Sequence, residues 1–393
     1  MLSHKGSRVL TFMLIGAALL LCLRAAGPVD KPVISPPYLN PSAYPDLVYH
    51  HAFREGPAVT ARAAILIEAS TGTILYAKNE HERREQASIT KAMTAIVAIE
   101  RGDLADTVRV SANAARVPGS SLNLSPGQEY KLEELLRATM LRSGNDGATA
   151  VAEHIGGSVE RFVDLMNRRA ATMGLKSTHF ANPHGLSAPG HYSTAYDIAL
   201  MCIWGFRLPK FADIVGCPEL WTSSVETGGA KLVYNTNKLL WSLAGADGVK
   251  TGTTSKAGHC LAASATRDGL QFIAVVLRSG ARFRDGANLL EYGFSTFTRV
   301  KAARAGVALG EALVRGGAER SVGLATAKDI DVVVRVDEAP RVSVVIDVPK
   351  SPKAPVGAGD RIGWIDVLYE ENLITRQQLY AVHGVSKKSM WER

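Results

Sequence analysis

Two β-rich runs near the start of the folded body and two near its end enclose a long, mostly helical middle. That order constrains the fold more than any other feature of the 393-residue chain. Ala63-Ala-Ile-Leu-Ile-Glu68 and Thr73-Ile-Leu-Tyr76 flank the turn Ser70-Thr-Gly72, a pattern that predicts a hairpin. From Ser88 to Glu100 the apolar residues Ala92, Ala95, Ile96 and Ile99 recur at helical spacing. Residues 132–140 and 148–155 also read as helices, with 143–146 as a loop between them. Strands are expected at 260–265 and 272–277. Strands, then helices, then strands make an α+β pattern. Past about Thr298 the style changes. The β-branched runs 330–336, 342–348 and 362–367, with a turn-rich connector at 349–359, predict a separate small β-sandwich domain.

The first 27 residues read as an export signal or N-terminal membrane anchor. Lys5 and Arg8 precede an apolar run from Val9 to Leu23, the right length for a secretory signal and short for a bilayer span. Proline-rich residues 28–59 read as an extended spacer. The body then divides into 60–297, which carries the chemistry, and 298–393, β-rich with a short tail. Residues 377–393 are expected to form that tail, with 382–393 a weak interfacial helix, so the N-terminal segment is the better tether. The net charge of +8 describes a solvated basic surface, without the Lys/Arg runs or aromatic motifs of a nucleic-acid partner. Cys202 and Cys217 could pair in an oxidising compartment but read better as small core hydrophobes. No His/Cys spacing supports a metal site, and no cofactor is expected.

Three short motifs carry the chemistry. In Ser88-Ile-Thr-Lys91 the lysine lies one helical turn after the serine and on the same face, so it can reach the hydroxyl that needs a base. Burial and a helix N-terminus both disfavour the ammonium form. The chain has no other SxxK. Ser143-Gly-Asn145 follows one helical run and precedes another. There a second hydroxyl can relay a proton and an amide can hold a substrate backbone. Ser111-Ala-Asn113 and Ser121-Leu-Asn123 share the triplet but read as turn or cap residues. Lys250-Thr-Gly252, followed by Thr253, precedes the strand at Cys260. A lysine and a threonine on a strand edge can bind a carboxylate, and Gly252 lets a substrate backbone approach.

In this order the motifs resemble those of the penicillin-recognising serine acyl-transferases, and within them the D-alanyl-D-alanine carboxypeptidases, the low-molecular-mass penicillin-binding proteins. The resemblance runs from about Ala61 to Phe294. It includes Phe180-Ala-Asn-Pro-His-Gly-Leu186, Tyr234-Asn-Thr-Asn-Lys238, Gly248-Val-Lys-Thr-Gly-Thr-Thr254 and Arg282-Phe-Arg-Asp285. It implies an antiparallel sheet with a helical subdomain, followed by the C-terminal β-sandwich. It further implies that Ser88 is acylated, Lys91 is its general base, Ser143 relays protons and Asn145 orients substrate and Lys91. Lys250 and Thr251 would hold the terminal carboxylate with Arg282 as helper, beside Gly252, and the N–H groups of Ser88 and Thr253 would form an oxyanion hole. The implied partners are peptidoglycan stem peptides and β-lactam antibiotics. The implied setting is the periplasm or the outer face of the cytoplasmic membrane, in wall synthesis and cell shape.

One residue departs from the pattern: Gln86 stands where members usually have proline, which could loosen the approach to the helix. His184 reads as structural. A class A β-lactamase would share the motifs but needs an acid in the loop after the second motif. Between Met166 and Glu219 the only acids are Asp197 and Asp213. DD-endopeptidase activity, or a non-catalytic wall-binding protein, are further alternatives; the latter would fit loss of Ser88, Lys91 or Lys250, and all three are present.

Overall fold

The run Ala63–Glu68 is buried at every position, so this strand is covered on both faces. The computed structural model describes residues 11–12, 56–222, 231–348 and 350–389. Apart from Thr11 and Phe12, the expected export signal lies outside these residues, as does most of the spacer. Within them, Ala63–Glu68 pairs antiparallel with Ile74–Lys78 on one side and with Leu270–Ser279 on the other. Gly258–Arg267 and then Ala246–Thr254 complete a five-stranded antiparallel sheet, with Ala246–Thr254 at its edge. The early and late β runs of the sequence therefore belong to one sheet.

Side chains alternate across that sheet. Ile65, Ile67, Ile273, Val275, Cys260 and Ala262 face the helical core, where they join Met93, Ile96, Leu136, Val151 and Phe211. The opposite face is covered by the helix Arg282–Thr296. It approaches closely because Gly286 and Gly293, two turns apart, lie against Leu261 and Phe272; an added Cβ would stand 2.9 Å and 2.8 Å from those side chains.

The helical middle follows the expected spacing with two differences. The segment Ala87–Thr90 is a 3-10 turn, and the α-helix proper is Lys91–Arg101. The loop after helix Leu132–Arg142 is only Ser143 and Gly144, because Asn145 already opens the helix Asn145–Gly156. Cys202 is buried, Cys217 is partly exposed, and both are free thiols.

The chain divides into two compact units between Ser295 and Thr296. In the second, Gly310–Leu313, Ser321–Thr326, Asn372–Ala381, Arg361–Tyr369 and Val342–Asp347 lie side by side in that order. Thr11–Phe12 pairs with Val344 and Val345 at the far edge. A second ribbon joins Phe297–Ala303 to Ile330–Arg335. The core is Val322, Leu324, Val332, Ile365, Val367 and Leu379. The expected tail is corrected here. Residues 377–381 are strand, with Leu379 buried. Val385 also finds a core slot and exchanges backbone hydrogen bonds with Val356, so the described part of 382–393 is not helical.

Candidate active site

Ser88 sits in a turn that is clamped from two sides. Ala87, just before it, adopts a left-handed backbone (φ 50°), a conformation that costs a non-glycine residue on the order of 1 kcal/mol or more. Two glycines hold it there. A Cβ on Gly185 would lie 2.0 Å from the Ala87 carbonyl oxygen. One on Gly252 would lie 2.6 Å from the Gln86 oxygen and 3.1 Å from the Ser88 nitrogen. The strand edge and the Pro183–Leu186 loop therefore press on the residues that aim the serine, and only glycine permits that approach.

Lys91 points inward and is fully buried. Its Nζ donates to Asn145 Oδ1 and to the His184 carbonyl, each at 2.7 Å, and lies 3.1 Å from Ser88 Oγ. Burial, and then the nearby Lys250 cation, push its pKa well below the ordinary lysine value, with Asp146 pulling the other way. Thr94, one turn further along, donates to the Pro183 carbonyl at 2.6 Å and pins the helix to the same loop.

Ser143 caps its helix in the left-handed region (φ 65°) and is buried, which turns the chain sharply enough for Asn145 to start the next helix. The Asn145 amide is fixed at both ends, accepting from Lys91 and donating to the Pro118 carbonyl at 2.7 Å. Next to it the buried Asp146 carboxylate accepts from Ser121 Oγ at 2.6 Å and from the backbone N–H of Leu122, Leu124 and Gly147. Asp146 thus holds the 118–124 loop against the second motif. Ser121 serves that loop, and Ser111 caps the short helix Ala112–Ala115 by accepting from the Ala114 N–H, so both play the turn and cap roles expected of them.

Lys250, Thr251, Gly252 and Thr253 lie on the edge strand Ala246–Thr254. Lys250 is buried, and burial, helped by the Arg282 cation, lowers its pKa to about 7. Thr251 Oγ1 is 2.7 Å from Thr236 Oγ1, and Arg282 donates to the Gly252 carbonyl (3.0 Å) and to Thr253 Oγ1 (2.7 Å). The Tyr234–Lys238 segment supplies the register. Asn237 donates to the Gly248 carbonyl at 2.7 Å, just where the edge strand begins.

Comparison with known proteins fits this geometry. The sequence model of the D-alanyl-D-alanine carboxypeptidases matches residues 51–281, and that of the penicillin-binding protein 5 C-terminal domain matches 297–387. The chain belongs to the D-alanyl-D-alanine carboxypeptidase family. It is 33% identical to the D-alanyl-D-alanine carboxypeptidase DacF of Bacillus subtilis over 336 residues, 83% of this chain and 86% of that one. The crystal structure of penicillin-binding protein 5 from Haemophilus influenzae is similar with a TM-score of 0.75 and 30% identity, covering 85% of this chain and 99% of that one. The Streptomyces K15 DD-transpeptidase is similar with a TM-score of 0.59 and 32% identity, covering 61% of this chain and 99% of that one. The protein is accordingly a serine peptidase of the D-Ala-D-Ala carboxypeptidase type.

Gln86 of the carboxypeptidase does more than replace a proline. It is buried, and its amide donates to Thr90 Oγ1 at 3.2 Å; Thr90 Oγ1 is in turn 2.8 Å from His191 Nε2. His191 Nδ1 accepts from the Ala181 N–H, which assigns the proton to Nε2. The position that lacks ring stiffness is thus tied down by side-chain bonds instead. His184 contributes its backbone carbonyl to Lys91, while its Nδ1 accepts from the Leu186 N–H. The two acids open to a lactamase reading are both engaged elsewhere. Asp197 accepts from Ser177 and Thr178, and Asp213 pairs with Arg137. Sequence reasoning missed Asp146, Gly185, Thr94 and Thr236. Gly185 and Thr236 stood within segments that the resemblance covers and Asp146 within the 143–146 loop, but only the fold says what they touch.

Proposed function

We propose that Ser88 is acylated by the terminal D-Ala–D-Ala unit of a peptidoglycan stem pentapeptide, that D-alanine leaves, and that water releases the shortened peptide. The single observation that carries this reading is the buried Lys91 Nζ, shared among Ser88 Oγ, Asn145 Oδ1 and the His184 carbonyl. Neutral Lys91 takes the Ser88 proton as Oγ adds to the scissile carbonyl. The backbone N–H groups of Ser88 and Thr253 stabilise the oxyanion, a contact supported by the close approach of Gly252 to Ser88. Ser143 passes a proton to the departing amine as the C–N bond breaks, and Asn145 holds the substrate backbone. Lys250, Thr251 and Arg282 receive the terminal carboxylate. A β-lactam enters the same sequence of steps and acylates Ser88.

The reaction belongs outside the cytoplasm, in the periplasm or at the outer face of the inner membrane. Lys5, Arg8 and the apolar run that follows support export and, where the segment is retained, attachment to that membrane. Trimming stem peptides there would act on wall organisation and cell shape. The decisive experiment is intact-mass spectrometry after incubation with benzylpenicillin, together with D-alanine release from a pentapeptide. One adduct on the Ser88 peptide and loss of both signals in Ser88→Ala are expected. D-alanine release that survives the substitution would overturn the mechanism.

A further inference from the structure

The turn that carries Ser88 is closed by a set of side-chain bonds that touch neither Ser88 Oγ nor Lys91 Nζ. Gln86 stands two residues before Ser88, and Thr90 stands just before Lys91, so a bond between their side chains spans the serine. The Gln86 amide donates to Thr90 Oγ1 at 3.2 Å, and His191 Nε2 donates to the same oxygen at 2.8 Å. A hydroxyl oxygen has two lone pairs, and both are engaged here. All three side chains are buried.

Three features set these bonds apart from ordinary polar contacts of a core. The helix Lys91–Arg101 begins right after Thr90, and a threonine there ordinarily caps the first turn by accepting from a backbone N–H. Thr90 forms no such cap bond, because its oxygen is committed to Gln86 and His191. Gln86 Oε1 is buried and has no hydrogen-bond partner among the described residues, a cost the chain bears while the amide nitrogen reaches Thr90. Between the two, Ala87 keeps its left-handed backbone, which persists only where the surroundings over-determine it.

His191 carries the connection outward. Its Nδ1 accepts from the Ala181 N–H at 3.0 Å, and its ring packs edge-on against Phe180. Two and three residues further along the same loop, the Pro183 carbonyl accepts from Thr94 and the His184 carbonyl accepts from Lys91 Nζ. One imidazole thus ties the turn that aims Ser88 to the loop that holds Lys91. We propose that Gln86, Thr90 and His191 are positioning residues for acylation. Together they set the 3.1 Å approach of Lys91 Nζ to Ser88 Oγ, in place of the ring stiffness that proline would give at position 86. The proposal rests on the acyl-enzyme reading above, in which that approach is the reacting geometry.

The test is stopped-flow acylation of the full-length protein by benzylpenicillin, with the adduct located by mass spectrometry. The limiting rate and the half-saturating concentration are read separately. Thr90→Val keeps the shape and removes the hydroxyl, and His191→Phe keeps a ring and removes both nitrogens. Each is expected to lower the limiting rate by about 10- to 100-fold, the order that a small misplacement of reacting groups costs, with little change in the half-saturating concentration. Thr90→Ser restores the oxygen and should acylate within about threefold of wild type. The double variant Thr90→Val/His191→Phe should be no slower than the slower single one, because residues that act as a unit are not additive. His191→Phe leaves the turn's own residues intact and carries the expectation by itself if Thr90→Val does not fold. Lower melting temperatures with limiting rates near wild type would show a packing role only and overturn the proposal, as would losses that multiply in the double variant. No adduct on Ser88 of the wild-type protein rejects the acyl-enzyme reading itself, whereas a wild-type adduct with unslowed variants rejects the positioning role alone.

Discussion

Lys91 Nζ lies 3.1 Å from Ser88 Oγ and 2.7 Å from both Asn145 Oδ1 and the His184 carbonyl oxygen. A neutral amine has two hydrogens and one lone pair. The two shorter contacts take the hydrogens, and the lone pair is left toward the serine. An ammonium in the same place would have three hydrogens and nothing with which to accept a proton. Burial beside Lys250 pushes the equilibrium the same way as the geometry.

Acylation by benzylpenicillin should therefore rise with pH as Lys91 loses its proton, then level off. The depressed pKa moves that plateau down from the alkaline range of a free lysine toward neutrality. Lys91→Arg keeps a charge of similar reach but cannot be deprotonated, so it should acylate about 10³-fold more slowly. Stopped-flow acylation rates across pH would check both. A Lys91→Arg rate within about tenfold of wild type would remove Lys91 as the base.

Lys250 titrates in the opposite sense for function. In the proposed mechanism it binds a carboxylate only while protonated, and its pKa of about 7 puts loss of that charge within the working range. The pH profile of kcat/KM for a pentapeptide should then fall above about pH 7, mostly through KM. Burial is the main cause of the shift and the Arg282 cation the second. Arg282→Gln should lower kcat/KM overall and yet move the alkaline limb to higher pH. A limb that stays where it was would detach it from Lys250.

How much of this was legible in the sequence follows from what each residue does. In the proposed mechanism Ser88, Lys91, Ser143, Asn145 and Lys250 act through side chains whose chemistry demands one residue type, so the order of the three motifs and their place between helices and strands gather them where spacing alone does not. His184 acts on Lys91 through its carbonyl, which any residue would supply, and no side-chain pattern announces it. Gly185 and Gly252 matter because of a backbone some distance away in sequence, visible only once the sheet edge and the loop are folded together. The strand Asn372–Ala381 was hidden for another reason. Its residues are exposed or half-buried except for Leu379 and Ala381, so its apolar alternation is too weak to read as strand.

His191 should make the fold sensitive to acid. Burial lowers its pKa to about 4, with Glu85 opposing and His179 adding to the effect. Below its ordinary value of 6.5 the unfolded chain takes up a proton that the folded chain refuses until about pH 4. Stability is then fully present above 6.5 and lost as the pH falls from 6.5 to 4, by roughly 3 kcal/mol from this residue. Thermal melts across that window should show the loss, and His191→Asn should reduce its slope, leaving the part that comes from His184, whose pKa burial lowers to about 3. An unchanged slope in the variant would exclude His191 as its source.

Gly252→Ala tests the clamp on Ser88. The added methyl would stand 2.6 Å from the Gln86 carbonyl oxygen and 3.1 Å from the Ser88 nitrogen, and both neighbours are backbone that cannot swing aside. Either the edge strand or the Ala87–Thr90 turn must move by a few tenths of an ångström. The sheet can absorb that at its edge, so the melting temperature should drop modestly, consistent with a cost of about 1–3 kcal/mol. The reacting geometry has less tolerance, and benzylpenicillin acylation should slow by about 10²-fold. A variant that melts slightly lower and acylates at the wild-type rate would mean that the approach of Gly252 serves packing rather than the alignment of Ser88.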